Sequence, residues 1–214
     1  MTEPVDPRAL DPAVRRVVDA AARKGVELRI VVLDATTHTA EAAALALGVE
    51  VGQIVKSLVF VVPRDDAGHE PVVCLVSGRN RVDVARLASV VGEPAIRRAT
   101  AREARDLTGF AIGGIPPIGH DRTVRVVMDP DLGLHREVWS AAGLDRAVFP
   151  AAPAALCALA NAIVAPIAEP AAGPGPAALE PASAEADHAP AGPAPAAELE
   201  PADPDRPGAP AGTA

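Results

Sequence analysis

The chain has 214 residues, 49% hydrophobic and 2% aromatic, with 20 Lys+Arg against 28 Asp+Glu and a formal net charge of −8. Two cysteines, Cys74 and Cys157, without metal-ligand spacing exclude a disulfide framework, and no uninterrupted apolar run reaches the length of a membrane span. The negative charge is local: residues 1–165 hold 19 basic and 20 acidic residues, whereas residues 166–214 hold eight acids and Arg206 alone. An acidic isoelectric point therefore does not argue against an RNA substrate, and the near-neutral first part shows no basic excess that argues for one.

Met1 to Arg8 carries acids and prolines instead of a basic and then apolar leader, so no secretory signal is expected and a reducing cytoplasm is the simplest setting. Pro12–Lys24 has the spacing of an amphipathic helix closed by Gly25, and Glu27–Leu33 that of a strand. Thr39 caps a short helix ending at Gly48. The Lys56 strand and Pro71–Val76 form a hairpin around Arg64–His69. Asp83–Val91 is a helix ended by Gly92, and Thr100 with Glu103 is a capping box for a helix that stops at Gly109. Val124–Met128 and Glu137–Ala141 are strands, and a last helix covers about Ala151–Ile163. Strands and helices interleave without a strict βαβ rhythm. The expected architecture is α/β (α+β): a mixed, barrel-like sheet core with helices around it, in one domain over residues 1–165. Residues 166–214, mostly Ala, Pro, Gly and acids, read as a disordered tail with polyproline-II character.

Lys56 lies inside the run Ile54-Val55-Lys56-Ser57-Leu58-Val59-Phe60-Val61-Val62. With period two, Ile54, Lys56, Leu58, Phe60 and Val62 share one face and Val55, Ser57, Val59 and Val61 the other, as in a central strand covered on both sides. An ammonium there either snorkels to water or meets a polar or anionic partner. A second segment, Thr108 to His120, carries four glycines after Thr108 and two prolines and no charge before its closing histidine. It is either a structural turn or a pocket wall whose backbone N–H groups converge on a carbonyl oxygen. Arg79 and Arg81, and Arg97, Arg98, Arg102 and Arg105, read as solvated faces with phosphate contact as the alternative. Ser57 and Ser77 lack a nucleophile elbow, and the histidines show no paired spacing, so neither a triad nor a metal site is expected.

Together the segments resemble the YbaK/EbsC family, which includes the prolyl-tRNA editing (INS) domain. The matching residues are Thr39 to Ala43 ahead of Leu47-Gly48-Val49, Gln53 to Phe60, Val76-Ser77-Gly78-Arg79-Asn80-Arg81-Val82-Asp83, Leu107-Thr108-Gly109-Phe110, and Gly113 to Gly119, in family order over about residues 25–165. The resemblance implies a YbaK-like fold that hydrolyses the ester of a mischarged aminoacyl-tRNA in trans, without a cofactor. It implies that Lys56 contacts the scissile region or terminal phosphate of the tRNA 3′ end, and that N–H groups of Gly113, Gly114 and Ile115 face the aminoacyl carbonyl. Phe60, Phe110, Ile112 and Ile115 would bound the side-chain pocket, with Ser57, Pro116, Pro117, Gly119 and His120 as further substrate-binding candidates. The resemblance does not extend to His120 itself, which reads first as a surface residue before Asp121-Arg122. The implied partners are aminoacyl-tRNA and a synthetase or another translation component, with no membrane and no DNA. A non-catalytic aminoacyl- or nucleotide-binding module of the same fold is the competing reading.

Overall fold

The computed structural model describes residues 10–34, 37, 39–64 and 68–169. Among the described residues there are five α-helices, the first four of them started by a side-chain cap: α1 (Pro12–Ala22), α2 (Ala40–Leu47), α3 (Val84–Val91), α4 (Ala101–Thr108) and α5 (Pro153–Ala160). Asp11, Thr39, Asp83 and Thr100 each accept a backbone N–H of the first turn of α1 to α4, and Thr100 with Glu103 closes the expected capping box. Such caps are each worth about 1 kcal/mol. Gly48, Gly92 and Gly109 end α2, α3 and α4 in the left-handed conformation.

Among the described residues, eight strands make two open sheets. β1 (Val31–Val32), β7 (Ala147–Ala151) and β6 (Val138–Ala141) form the smaller, in the order β1-β7-β6. The larger runs β4-β2-β3-β5-β8, with β2 (Val55–Arg64), β3 (Gly68–Ser77), β4 (Arg97–Arg98), β5 (Arg125–Met128) and β8 (Ile163–Val164). β2 and β3 pair antiparallel from Val55↔Ser77 to Arg64↔Gly68, whereas β3–β5 and β5–β8 are parallel. A bridge between Ile54 and Trp139 joins the sheets, so the barrel-like core takes the form of two linked open sheets.

The two faces of β2 go to different cores, as the alternation in its sequence demands. Val55 and Val59 pack with Val73, Leu75, Phe149 and the buried face of α1, while Phe60 and Val62 pack with Val72, Cys74, Val76 and Leu87 of α3. Burying a side chain of this kind contributes about 1.5–3 kcal/mol. A third cluster, with Leu33, Ala43, Ala44, Ile54, Trp139 and Val148, lies where the two sheets meet.

Some expected boundaries move. The Glu27–Leu33 strand shrinks to a two-residue ladder, and the last helix stops at Ala160 because Asn161 turns left-handed (φ 49°), releasing Ile163 to pair with Val127. β4 and β7 were not expected: two adjacent arginines do not look like a strand, and Pro150 interrupts the pattern of β7. A domain end at residue 165 is too early. Ile167 is fully buried, and the buried Asp129 carboxylate accepts the N–H groups of Ile167 (3.0 Å) and Ala168 (2.8 Å). The sequence missed this because four residues are too few to register as a change in composition. Residues 170–214, the rest of the expected tail, lie outside the described residues. Ile167→Ala is expected to cost about 3 kcal/mol of folding stability, read by chemical denaturation.

Candidate active site

The mouth between the two sheets opens into a cavity of about 370 Å³. One wall is the start of β2. The Lys56 ammonium, half-buried, donates to the Asn80 carbonyl oxygen at 2.5 Å. The Asn80 side chain is itself anchored to Asp131 Oδ2 at 2.7 Å, so the carbonyl that seats the ammonium is held in place. Burial pushes the Lys56 pKa down, the Glu41 carboxylate opposes that shift, and the charges of Arg81 and Arg98 reinforce it. The partner that a lysine in this run requires is therefore a backbone carbonyl with a carboxylate in electrostatic range. An ammonium has three donors, so one bond to Asn80 leaves it able to bind a ligand.

Beside Lys56, Ser57 also lines the cavity, and its Oγ is buried without a hydrogen-bond partner among the described residues. The facing wall is the glycine–proline loop. Gly113 (φ 91°), Ile115 and the exposed Ile112 reach the cavity, with Ile54, Leu58, Trp139 and Val148 completing its apolar lining. Gly114 is buried and bonded: its N–H donates to Ala111 O (3.1 Å) and its carbonyl accepts from Gly143 N (3.0 Å). Among the described residues, no backbone carbonyl accepts the Gly113 or Ile115 N–H. A cation and two residues with uncommitted backbone N–H groups thus line one cavity of mixed polar and apolar walls, and groups of these kinds can orient an ester and stabilise the oxyanion formed when it is attacked.

Residues 34–159, more than half of the chain, match the family model described as aminoacyl-tRNA editing domain. The chain belongs to the aminoacyl-tRNA editing domain family. A crystal structure of a candidate trans-editing enzyme for prolyl tRNA synthetase is 48% identical, with a TM-score of 0.68, covering 75% of this chain and 99% of that one. The multifunctional Ser/Thr-tRNA deacylase ProXp-y of Escherichia coli (strain K12) is 28% identical over 116 residues, 54% of this chain and 68% of the deacylase. The proline–tRNA ligase of Limosilactobacillus fermentum is 32% identical over 95 residues, 44% of this chain. Against that ligase the chain spans only 17% of the relative's length.

Within this editing domain the structure gathers Lys56, Ser57, Ile112, Gly113 and Ile115 on the cavity and places the other expected residues elsewhere. Phe60 is in the core beneath α3, and Phe110 is buried among α1 residues, with the Arg16 guanidinium 3.8 Å from its ring centroid. Pro116 is buried, and Pro117, Gly119 and His120 line a separate cleft of about 280 Å³. His120 Nε2 is 2.9 Å from Pro116 O, and burial lowers the imidazole pKa to about 4, against a weaker opposing effect of the Pro116 carbonyl. Gly119 (φ 82°) lets the loop pass α1, where an added Cβ would stand 3.3 Å from Arg16 O.

Five polar cavity residues, Thr37, Thr39, Glu41, Arg98 and Asp145, escaped the list of expected site residues. Glu41 lies in the first turn of α2, and Thr37 donates through Oγ1 to Asp145 O at 2.9 Å. Arg98 reaches the cavity from β4, and Asp145 from the turn between β6 and β7. The two arginine groups read as solvated faces divide by partner: Arg97 pairs with Glu103 (2.6 Å), Arg79 with Glu50 (2.9 Å) and Arg102 with Asp106 (3.5 Å), whereas Arg98 faces the cavity. The Thr39-to-Glu41 motif was a signal for Glu41, and Arg98 had phosphate contact only as its alternative reading; Asp145 offered none.

Proposed function

We propose that this chain is an editing deacylase that hydrolyses the ester of mischarged aminoacyl-tRNA in trans, with a small amino acid as the esterified group. The observation that carries the proposal is the shared cavity of Lys56, Gly113 and Ile115. In it, Lys56 binds the scissile region or the terminal phosphate of the tRNA 3′ end. The N–H groups of Gly113 and Ile115 face the aminoacyl carbonyl, and the unpartnered Ser57 hydroxyl takes a polar atom of the substrate.

No protein nucleophile is required. An aminoacyl ester is more reactive than an amide, and water or a neighbouring hydroxyl of the substrate attacks once the ester is oriented. One well-placed oxyanion donor is worth about 3 kcal/mol. Ile112, Ile115 and Trp139 bound a space that offers an amino-acid side chain mainly apolar surface, which favours alanyl, cysteinyl or seryl groups. A synthetase distinguishes substrates that differ by one methylene by only about 1–3 kcal/mol, so a second site that removes small errors has a clear use. The substrate places the reaction in the cytoplasm, with a synthetase or another translation component as partner.

The test is ester loss from alanyl-, cysteinyl-, seryl- and prolyl-tRNA under single-turnover conditions. At least one small aminoacyl ester is expected to be cleaved faster than prolyl-tRNA. Binding without ester loss across the panel would turn the reading to a non-catalytic module of the same fold.

A further inference from the structure

Resting on the deacylase reading, we propose that Asp145 binds the α-ammonium group of the aminoacyl ester and makes the cavity selective for free α-amino acids over acyl groups without that charge. Asp145 lines the cavity next to the loop: its Cβ is 3.4 Å from where a Cβ on Gly113 would stand. In an aminoacyl ester the α-nitrogen is two bonds from the carbonyl carbon. A carbonyl held at Gly113 therefore brings the ammonium to the neighbourhood of Asp145.

The state of the two cavity carboxylates separates their roles. The Glu41 pKa is lowered first by a bond from its own backbone N–H, then by the Thr39 side chain, with a further contribution from the charge of Lys56. From the first turn of α2, Glu41 thus acts on Lys56 through its charge. The half-buried Asp145 carboxylate makes no hydrogen bond or ion pair with another described residue. Its backbone is fixed independently, because the Asp145 carbonyl accepts from both Thr37 Oγ1 (2.9 Å) and Thr37 N (3.4 Å). The turn consequently does not need the carboxylate. The Asp145 carboxylate is therefore available to a cationic group in the cavity, where a charge-assisted hydrogen bond can form.

The field across the cavity fixes the orientation. Lys56 and Arg98 line it, and Arg81 adds to the positive potential at Lys56. An ammonium is repelled from that side and the 3′-terminal phosphate drawn to it, so the α-nitrogen points to Asp145 and the nucleotide to the cations. A hydrogen bond to a charged group contributes about 1.5–3 kcal/mol, which corresponds to roughly 10- to 100-fold in rate.

Single-turnover cleavage of alanyl-tRNA and of lactyl-tRNA, in which a hydroxyl replaces the ammonium, tests this, with each rate divided by that of spontaneous hydrolysis. Wild type is expected to favour the alanyl ester at least tenfold. Asp145→Asn, which keeps the carbonyl bonds from Thr37, is expected to slow alanyl cleavage 10- to 100-fold and leave lactyl cleavage within about threefold, so that the preference collapses. Glu41→Gln is expected to slow both esters alike, since Glu41 acts through Lys56. A wild-type preference near unity overturns the assignment of Asp145 whatever the variants do. So does a preference unchanged in Asp145→Asn, an equal loss on both esters in that variant, or a preference abolished by Glu41→Gln. Cleavage of neither ester by wild type, nor of any ester in the panel above, overturns the deacylase reading itself.

Discussion

Lys56→Ala is expected to lower single-turnover deacylation at least tenfold while the domain stays folded. The ammonium spends one donor on Asn80 O, and its remaining donors stand at the cavity. Losing a charge-assisted bond to the substrate removes about 1.5–3 kcal/mol, or 10- to 100-fold in rate. The fold does not depend on it, because burial of this ammonium is unfavourable, as its lowered pKa records, and its one direct partner is a carbonyl that cavity water can satisfy. The melting temperature of Lys56→Ala should therefore stay close to wild type. Lys56→Met keeps most of the stem and loses the charge, and it should be nearly as inactive as Lys56→Ala. If Lys56→Ala cleaves the best substrate at the wild-type rate, Lys56 has no part in the chemistry.

What could be read from the sequence is what short-range pattern controls. Two faces of β2 reached two cores, and Thr39, Asp83 and Thr100 each started a helix, because alternation and capping act within a few residues. The cation wall was legible for a related reason: a lysine in the middle of an apolar strand is anomalous on its own. Arg98 and Asp145 were not, because distant pairings decide their places. Arg98 reaches the cavity only because β4 pairs with β2 at Phe60↔Arg98, and Asp145 because the β6–β7 turn packs against the glycine loop. The same limit divided the loop itself. Its glycines and prolines looked equivalent along the chain, yet Gly113 and Ile115 face the cavity while Gly119 and His120 lie against α1 and a second cleft.

That division makes Gly113 and Gly114 respond differently to substitution. Gly114 is pinned by bonds to Ala111 and Gly143, and a Cβ there would stand 2.8 Å from the backbone of Leu144. Gly114→Val must displace the turn that carries Asp145, at a cost of roughly 1–3 kcal/mol or more, so a lower melting temperature should accompany its loss of activity. Gly113 has φ 91°, and its added Cβ would meet only Asp145 Cβ at 3.4 Å, an ordinary contact. The penalty of Gly113→Ala is conformational, about 1–3 kcal/mol. The loop can relieve it by rotating the peptide and turning the Gly113 N–H away from the ester. Removing one oxyanion donor costs about 100- to 1,000-fold in turnover, so Gly113→Ala should remain largely folded and lose roughly two orders of magnitude in single-turnover rate. Melting curves and rates on the same preparations separate the two effects. If Gly113→Ala is folded and as active as wild type, Gly113 contributes no donor to the oxyanion and serves only the turn.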